Sequence, residues 1–583
     1  MNREALYHCS KSNYAYPYEE TDIRIRFRTA KDDVNEVRLY YGVKFDWANK
    51  TYRSMTKIGS DEYFDYYQHN IRQEDIRLGY YFEVIADKED IFYTEAGILD
   101  AFDDKRAHCL FFQYPSAHYV DIPHKPSWFS DAVFYQIFVE RFANGNPEIS
   151  PNGIVPWDSN PTPKSFYGGD LEGIRSHLSY LEDLGINAIY LTPIFESISN
   201  HKYDTIDYME IDAHFGDKET FRELVNEAHE KGIRIILDAV FNHCSDRFAP
   251  FRDVLEHGED SIYKDWFRVK EFPVSQTEPN YEMFASVPYM PRFNTANKEV
   301  QKYLFDVVRY WTTEFHIDGW RLDVADEPDH CFWREFRKVV KELDNDLIII
   351  GEVWHDSMPW LLGDQFDTVM NYPVMHQAIN FFARGDIDAK AFSEVLTMQL
   401  MKYPDLINEM MFNLLDSHDT ERFLFMCKEN KQNLMNAAAF IFGYIGSPCI
   451  YYGTEIGLTG GYDPGCRKGF NWNTEEWDHE LHNYYKRLIY IRRNESALRY
   501  GRIDFESTKE LFVMKRSYEG NEIYIVINQT DIVQLIPTDI MQSKYIDLLS
   551  NQSTDCNEIL PYTAHYFKIV KENKYEKEIG EGY

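Results

Sequence analysis

The chain has 583 residues, which is too long for one hydrophobic core and predicts about three to four domains. Hydrophobic residues make up 44% and aromatic residues 16% of it, which excludes a disordered protein. The formal net charge of −35 would repel nucleic acid and anionic membranes, so we expect neither as a partner and a neutral substrate instead.

Neither a membrane span nor a secretion signal is apparent. No apolar run approaches the roughly 18 residues of a membrane helix, and residues 1–8 lack the apolar core of a signal peptide. The cysteines lie far apart without a Cys-x-x-Cys pair, which argues against a zinc or redox site. We therefore expect a cytoplasmic protein with reduced, mostly structural cysteines. They are Cys9, Cys109, Cys244, Cys331, Cys427, Cys449, Cys466 and Cys556.

Residues 1–122 are predicted to form a β-sandwich. Apolar and polar residues alternate, as in 23–28, turn residues separate the runs, and long helical patterns are absent. Trp47 and many tyrosines here either stack on sugars or fill the core and sheet surface, and the sequence leaves both open. Pro123 and Pro126 mark a linker to the next domain.

Residues 123–500 are predicted to form a closed parallel barrel. Strand-like runs alternate with amphipathic helices; residues 171–186 carry apolar residues at helical spacing before a stop at Gly185, and a strand-like run follows at once. The same alternation precedes the runs that carry Asp238 and Asp323. Eight such units predict a (β/α)8 barrel.

Two further regions complete the predicted organisation. The interval at about 244–297 is longer than one helix requires and lacks a clear period, so we predict an inserted subdomain beside the site. Residues 501–583 return to short strand-like runs and end in a polar tail after Val570. The predicted fold class is α/β: a (β/α)8 TIM barrel with an inserted subdomain, an N-terminal β-sandwich and a C-terminal antiparallel β-domain.

Four predicted barrel strands end in residues that carry chemistry. The run 319–324 places Arg321 and Asp323 on one face, and burying such a pair costs several kcal/mol unless both charges have partners. A lone pair of this kind is more often structural than catalytic. Three similar runs, however, end at the edge where parallel barrels place catalytic residues. They lead to Asp238 and His243, to Glu352, and to Asp416, His418 and Asp419.

These four segments resemble the signature regions of the α-amylase superfamily of retaining α-glycosidases and transglycosidases. Two accessory segments, 136–142 and 290–294, match as well, and the motifs extend over essentially the whole chain. Residues 290–294, together with residues 201–205 and the additional N-terminal module, which is similar to a carbohydrate-binding module, resemble the cyclomaltodextrinase, neopullulanase and maltogenic amylase group.

The resemblance implies hydrolysis of α-1,4-glucosidic bonds in cyclodextrins, maltodextrins, and pullulan or starch, with some transglycosylation. An oligo-1,6-glucosidase or a glucanotransferase of the same superfamily is the alternative, although these usually lack the N-terminal sandwich. A non-enzymatic glycan-binding barrel is disfavoured, because such proteins have lost catalytic carboxylates that this chain retains.

By the same resemblance, Asp323 is the nucleophile, Glu352 the general acid/base, and Asp419 a third carboxylate that holds sugar hydroxyls. Arg321 is expected to keep the Asp323 carboxylate ionised. Glu352 lies beside a negative neighbour and Trp354, and is expected to hold its proton as the acid. The residues implied in substrate binding are Tyr203, His243, Arg321, Trp354, His418, Arg467 and Glu327.

Two departures from the family pattern bear on these roles. The group commonly has Val-Ala-Asn-Glu after the nucleophile strand; here Asp326 replaces the asparagine and is expected to alter acceptor binding. The family's calcium loop usually offers several carboxylates, whereas the candidate metal ligands here are Asn144, Asn146, Gly168 and Asp170. Because amides replace carboxylates, we expect weak or absent calcium binding, and no cofactor is required for the hydrolysis.

A homodimer is also implied. In the group that the chain resembles, the sandwich packs beside the catalytic mouth of a second subunit and narrows an open cleft. The loop of Phe45, Asp46 and Trp47 lies where these proteins send an aromatic residue toward the partner's site. Whether Phe45 and Trp47 instead fill the sandwich core is left open by the sequence.

Overall fold

The structure is a computed structural model that describes residues 1–75, 77–105, 108–114, 118–537, 544–554 and 557–569. Cys556 and the predicted polar tail after Val570 lie outside these residues. A sandwich, a barrel and an antiparallel sheet follow one another along the chain, which confirms the predicted fold class. None of the described helices is long and apolar enough to cross a membrane.

A ring of parallel strands forms the centre of the molecule. Its eight described strands are β1 (Phe134–Ile137), β2 (Ala188–Leu191), β3 (Arg234–Ala239), β4 (Gly319–Leu322), β5 (Ile348–Gly351), β6 (Thr368–Val369), β7 (Phe412–Leu414) and β8 (Ser447–Tyr451). They are hydrogen-bonded in the order β6, β5, β4, β3, β2, β1, β8, β7. A parallel bridge from Met370 to Phe412 joins the two ends and closes the barrel.

Helices cover the outside of this ring. Those described are Val139–Phe142, Leu171–Ser176, Leu178–Leu184, Lys218–Glu230, Ala249–His257, Lys298–Phe315, His330–Leu343, Tyr372–Ala378, Ala389–Met401, Asp405–Glu409, Phe423–Met426, Lys431–Gly443, His479–Asn494 and Ser496–Tyr500. Their apolar positions recur at helical spacing, and in Lys218–Glu230 the residues Phe221, Leu224, Val225 and Ala228 are all buried. The apolar face of these helices, predicted from the sequence, therefore packs against the strands.

The helical pattern over 171–186 is present, but it is divided between two helices that meet at His177. The imidazole Nδ1 of His177 lies 2.7 Å from the carbonyl oxygen of Gly173. In a continuous α-helix the backbone N–H of His177 would bond to that oxygen, so the side chain occupies the acceptor that the helix needs. The predicted stop is present, since Gly185 has a left-handed φ of +96°.

The N-terminal region is a sandwich of two antiparallel sheets. One contains Ala15–Glu19, Asp22–Ala30, Phe64–Arg72 and Thr56–Ser60 in that order. The other contains Thr51–Ser54, Glu36–Val43, Leu78–Ala86, Glu89–Thr94 and Gly97–Leu99, with Phe112–Tyr114 also paired to Leu78–Ala86. Trp47 is buried against Tyr81 and Phe111, whereas Phe45 is 73% exposed. Trp47 thus fills a small core, and Phe45 faces outward.

The remaining regions flank the barrel. The stretch after β3 contains Ala249–His257, and an isolated bridge between His243 and Arg292 holds its end against the site. The C-terminal sheet contains, in order, Arg502–Phe505, Leu511–Tyr518, Asn521–Asn528, Thr563–Ile569, Tyr545–Asp547 and Gln552–Thr554, and the short strands Gln534–Leu535 and Glu558–Ile559 pair separately.

Candidate active site

The carboxyl ends of β3, β4 and β5 bring three acids around one buried guanidinium. Arg321 lies in β4, and its Nη1 is 2.9 Å from Asp323 Oδ1 and 3.0 Å from both carboxylate oxygens of Asp238. Its Nη2 lies 2.8 Å from Glu352 Oε2. The side chain of Arg321 is only 1% exposed, so these acids supply the opposite charges that a buried cation requires, while its Nε and Nη2 have no hydrogen-bond partner within the described residues.

Glu352 is held at both carboxylate oxygens. The backbone N–H of Val324 donates to Oε2 at 2.9 Å, and the indole N–H of Trp354 donates to Oε1 at 3.1 Å. Val324 has a φ of +46°, an unfavourable left-handed conformation for a β-branched residue. Such strain persists where the surroundings hold the backbone in place, which is common beside functional groups.

Burial and neighbouring charges shift the titration of Asp323 and Asp419. Burial raises the pKa of Asp323 well above its ordinary value, Arg321 opposes the shift, and the carboxylates of Glu352 and Asp238 add to it. Burial also raises the pKa of Asp419 to about 7. The expectation that Arg321 keeps Asp323 ionised considered the nearby cation alone; it omitted the desolvation of the carboxylate, which here outweighs it.

A second group surrounds Asp419. Its carboxylate lies 3.4 Å from Arg467 Nη2 and 3.2 Å from His418 Nε2. Arg467 also donates from Nε to the carbonyl oxygen of His418 at 2.8 Å. The rings of Tyr203 and His418 are nearly parallel, with centroids 5.4 Å apart, and the Tyr203 hydroxyl donates to Asp238 Oδ2 at 3.0 Å. These hydrogen bonds connect the Asp419 group with the Arg321 cluster.

His243 follows β3 and is buried under the inserted region. Its ring stacks on Phe284, with centroids 4.7 Å apart, and its Nε2 has no hydrogen-bond partner within the described residues. Burial lowers the pKa of His243 to about 3, so the ring is neutral at physiological pH. A buried polar nitrogen without a partner is unusual.

Trp354 and Glu327 lie at the rim. Trp354 is 48% exposed and stacks on Tyr372, with centroids 3.6 Å apart. Glu327 Oε2 accepts a hydrogen bond from Asn242 at 3.0 Å and lies 3.3 Å from Arg292 Nε. Glu327 is thus part of a polar network rather than of the guanidinium cluster.

Periodicity gave no signal for Phe284 and Tyr372, two of the rings that pack on site residues. Phe284 belongs to the inserted region, which lacks a repeat, and Tyr372 begins a helix beyond β6. Asp326, the residue that departs from the family pattern, lies 3.1 Å from His355 Nε2. Residues on irregular loops at the rim of a site, such as these, can be identified only from a structure that shows the paths of the loops.

Asp170 carries the one carboxylate among the four candidate metal ligands. Both oxygens of Asp170 accept backbone N–H groups, from Gly145, Asn146 and Gly173 at 2.6–3.0 Å. Asn144 Nδ2 donates to a serine hydroxyl, which leaves one buried amide oxygen without a partner. Gly168 has a φ of +84° and donates its N–H to Glu140. No group of three or more His, Cys, Asp or Glu in the described part of the chain could hold a metal ion.

We therefore predict that a chelator leaves the melting temperature unchanged, because the one carboxylate of the set is already engaged by backbone donors. Thermal unfolding followed with and without EDTA, and again after added calcium, measures this. A fall of several degrees with EDTA that calcium alone restores would contradict the prediction.

A closed barrel with an acid pair at adjacent strand ends has the groups that hydrolysis of a glycosidic bond requires. Residues 136–501 match the model of the α-amylase catalytic domain, and residues 1–118 match the α-amylase N-terminal ig-like domain. The chain belongs to the α-amylase family, and it is a glycoside hydrolase.

Similar relatives cover nearly the whole chain. A cyclomaltodextrinase of Geobacillus thermopakistaniensis is 49% identical, over 96% of this chain and 98% of the relative. Neopullulanase 2 of Thermoactinomyces vulgaris is 45% identical, over 95% of this chain and 96% of the relative. A solved structure of a cyclomaltodextrinase is 42% identical and superimposes with a TM-score of 0.93, covering 98% of this chain and 100% of that one.

Proposed function

We propose that the protein is a retaining α-glycosidase that hydrolyses α-1,4-glucosidic bonds of cyclodextrins and maltodextrins, with pullulan and starch as further substrates and some transglycosylation. The contact of Arg321 with both Asp323 and Glu352 carries the proposal, because retention requires two carboxyl groups close together. The relatives named cyclomaltodextrinase and neopullulanase support the substrate class.

The chemistry has two steps. Asp323 attacks the anomeric carbon while Glu352 gives a proton to the leaving oxygen, and a covalent glycosyl-enzyme forms. Glu352 then takes a proton from water, whose oxygen displaces the Asp323 carboxylate. The N–H donors of Val324 and Trp354, one to each oxygen of Glu352, hold that carboxyl group in place for both proton transfers. A sugar hydroxyl in place of water gives transglycosylation.

The alternatives have less support. An oligo-1,6-glucosidase or a glucanotransferase usually lacks an N-terminal sandwich, and this chain matches the family's N-terminal domain over residues 1–118. A cytoplasmic location is part of the proposal, and two relatives named intracellular maltogenic amylase, each 43% identical, support it.

Timed product analysis on β-cyclodextrin, pullulan and soluble starch tests the function. We expect β-cyclodextrin to be opened to short maltodextrins faster than starch is cleaved, and transfer products to appear when glucose is added as an acceptor. Enzyme carrying Asp323→Ala, prepared in parallel, controls for contaminating activity. Cleavage restricted to α-1,6 bonds of short oligosaccharides would contradict the proposal.

We also propose a homodimer in which Phe45 approaches the partner's site. Phe45 is the exposed aromatic side chain of its loop, and the cations of Lys44 and Arg77 lie 5.7 Å and 5.4 Å from its ring. A stable dimer of this kind buries more than about 1,000 Å². Deleting residues 1–122 is expected to lower activity on β-cyclodextrin relative to starch.

Sedimentation velocity and the ratio of the two activities measure this prediction. The deletion also removes Arg26, which is buried against Asp405 of the barrel, so Phe45→Ala is the variant that leaves the domain contact intact. A full-length protein that sediments as a monomer and still prefers β-cyclodextrin would contradict the proposal.

A further inference from the structure

Gln136 lies in β1 and is buried, with 2% of its surface exposed. Its side-chain amide nitrogen is 2.6 Å from Nδ1 of His418. A buried amide without a partner is costly, so this contact accounts for the amide nitrogen. It also decides which nitrogen of His418 carries the ring proton, a choice that none of the roles above explains.

The other ring nitrogen faces two acceptors. His418 Nε2 is in hydrogen-bond contact with the Tyr203 hydroxyl and lies 3.2 Å from Asp419 Oδ2. The single hydroxyl proton of Tyr203 goes to Asp238 Oδ2, at 3.0 Å, so the Tyr203 oxygen is left to accept. In its ionised form the Asp419 carboxylate also only accepts. The Tyr203 oxygen and the ionised Asp419 carboxylate therefore both call for a proton on Nε2.

The ring is neutral. Burial, together with the charges of Arg321 and Arg467 and with His201, lowers the pKa of His418 well below its ordinary value. A neutral imidazole with its proton on Nε2 must accept at Nδ1. The amide N–H of Gln136 donates to Nδ1, so the contacts of both ring nitrogens indicate the same tautomer.

We propose that Gln136 is a positioning residue that holds His418 as the neutral tautomer with its proton on Nε2, so that this N–H can donate to a sugar hydroxyl. The transition state of glycoside cleavage is positively charged at the sugar ring. A neutral donor binds the hydroxyl without adding a cation beside that charge. The inference rests on the proposed function of the site, and its test separates the two.

The first measurement uses the full-length wild-type protein. Histidine labelled with ¹⁵N at both ring nitrogens is incorporated, and the His418 signals are assigned by their loss in His418→Gln. We expect an unprotonated Nδ1 and a protonated Nε2 at about pH 8, above the pKa of about 7 of Asp419, where its carboxylate is mostly ionised. A proton on Nδ1, alone or together with one on Nε2, would overturn the proposal without any variant.

The second measurement uses two variants. Gln136→Met removes the donor, and Gln136→Glu keeps the size but replaces the N–H by an acceptor, so that Nδ1 must take a proton. We expect kcat on β-cyclodextrin, or on whichever tested glucan the wild type cleaves, to fall about 10- to 100-fold with KM changed less than about threefold. The Gln136→Glu spectrum is expected to contain a protonated Nδ1.

Gln365→Met is the matched control. Gln365 is fully buried and contacts the ring of His330, at 2.8 Å, and the carboxylate of Asp364, neither of which is a candidate site residue, so its loss is expected to lower stability without changing kcat. A kcat within about twofold of wild type in a folded Gln136 variant would overturn the inference. If one variant does not fold, the other variant and the wild-type spectrum decide. Wild-type protein that cleaves no glucan counts against the proposed function instead.

Discussion

Replacing Asp323 by alanine, or Glu352 by glutamine, is expected to lower kcat by at least about 10³-fold while the protein stays folded. In the proposed mechanism, the first change removes the carboxylate that attacks the anomeric carbon, and the second removes the proton that the leaving oxygen needs. Neither substitution is expected to expose the hydrophobic core to water. Without the Asp323 carboxylate, Arg321 still contacts Asp238 and Glu352, and glutamine keeps the size of Glu352 and one oxygen that can accept from Val324 or Trp354.

Initial rates on β-cyclodextrin and a melting curve measure this prediction together. Glu335→Gln is the matched control, since Glu335 pairs with Lys338 on the exposed face of the helix His330–Leu343 and its neutralisation is expected to leave both readings unchanged. We expect the two catalytic carboxyl groups to lie about 5–5.5 Å apart, as retention requires. A β-anomer as the first product in NMR would contradict the mechanism, and a variant with more than a tenth of wild-type kcat would contradict the assignment.

The site could be predicted where strand geometry alone decides a contact. Arg321 and Asp323 are two residues apart in one strand, so their side chains share a face, and the structure brings them to 2.9 Å. Glu352 ends the next strand along the chain, and adjacent parallel strands end at one edge. The two-residue period of a strand and the common direction of the barrel strands are enough to predict the positions of these side chains.

Other features depend on the environment and lie beyond a pattern of residue types. The high pKa of Asp323 follows from the depth of its burial, which a sequence does not report. The helix break at His177 follows from a side chain that competes for the carbonyl oxygen of Gly173. Asp170 resembles a metal ligand by type, but three backbone N–H groups use its oxygens.

The second large effect is expected from replacing Arg321 by methionine, because its guanidinium contacts the carboxylates of Asp238, Asp323 and Glu352. Breaking a buried ion pair by removing one partner costs about 3–5 kcal/mol of stability. The attraction that opposes the raised pKa of Asp323 is lost, while the burial that raises it stays. The nucleophile must be ionised to attack, so the acidic limb of kcat/KM is expected to move to higher pH by more than about one unit, with kcat at pH 7 lower by at least about 10²-fold.

Relative to wild type, the stability of the Arg321→Met variant is expected to fall as the pH rises. A carboxyl group whose pKa is higher in the folded than in the unfolded protein binds more protons when folded, so stability is kept at low pH and lost as pH rises through the folded value. Arg321→Met is therefore expected to be closer to wild type in stability at pH 5 than at pH 8.

Arg321→Lys keeps the charge but cannot bridge Asp323 and Glu352 with two nitrogens, so it should restore part of the stability and little of kcat. Arg309→Gln, at an exposed helix pair with Asp306, is the control. Denaturant unfolding at both pH values measures the effect, and a variant whose stability loss and acidic limb match those of the control would show that Arg321 does not hold the carboxylates of this site.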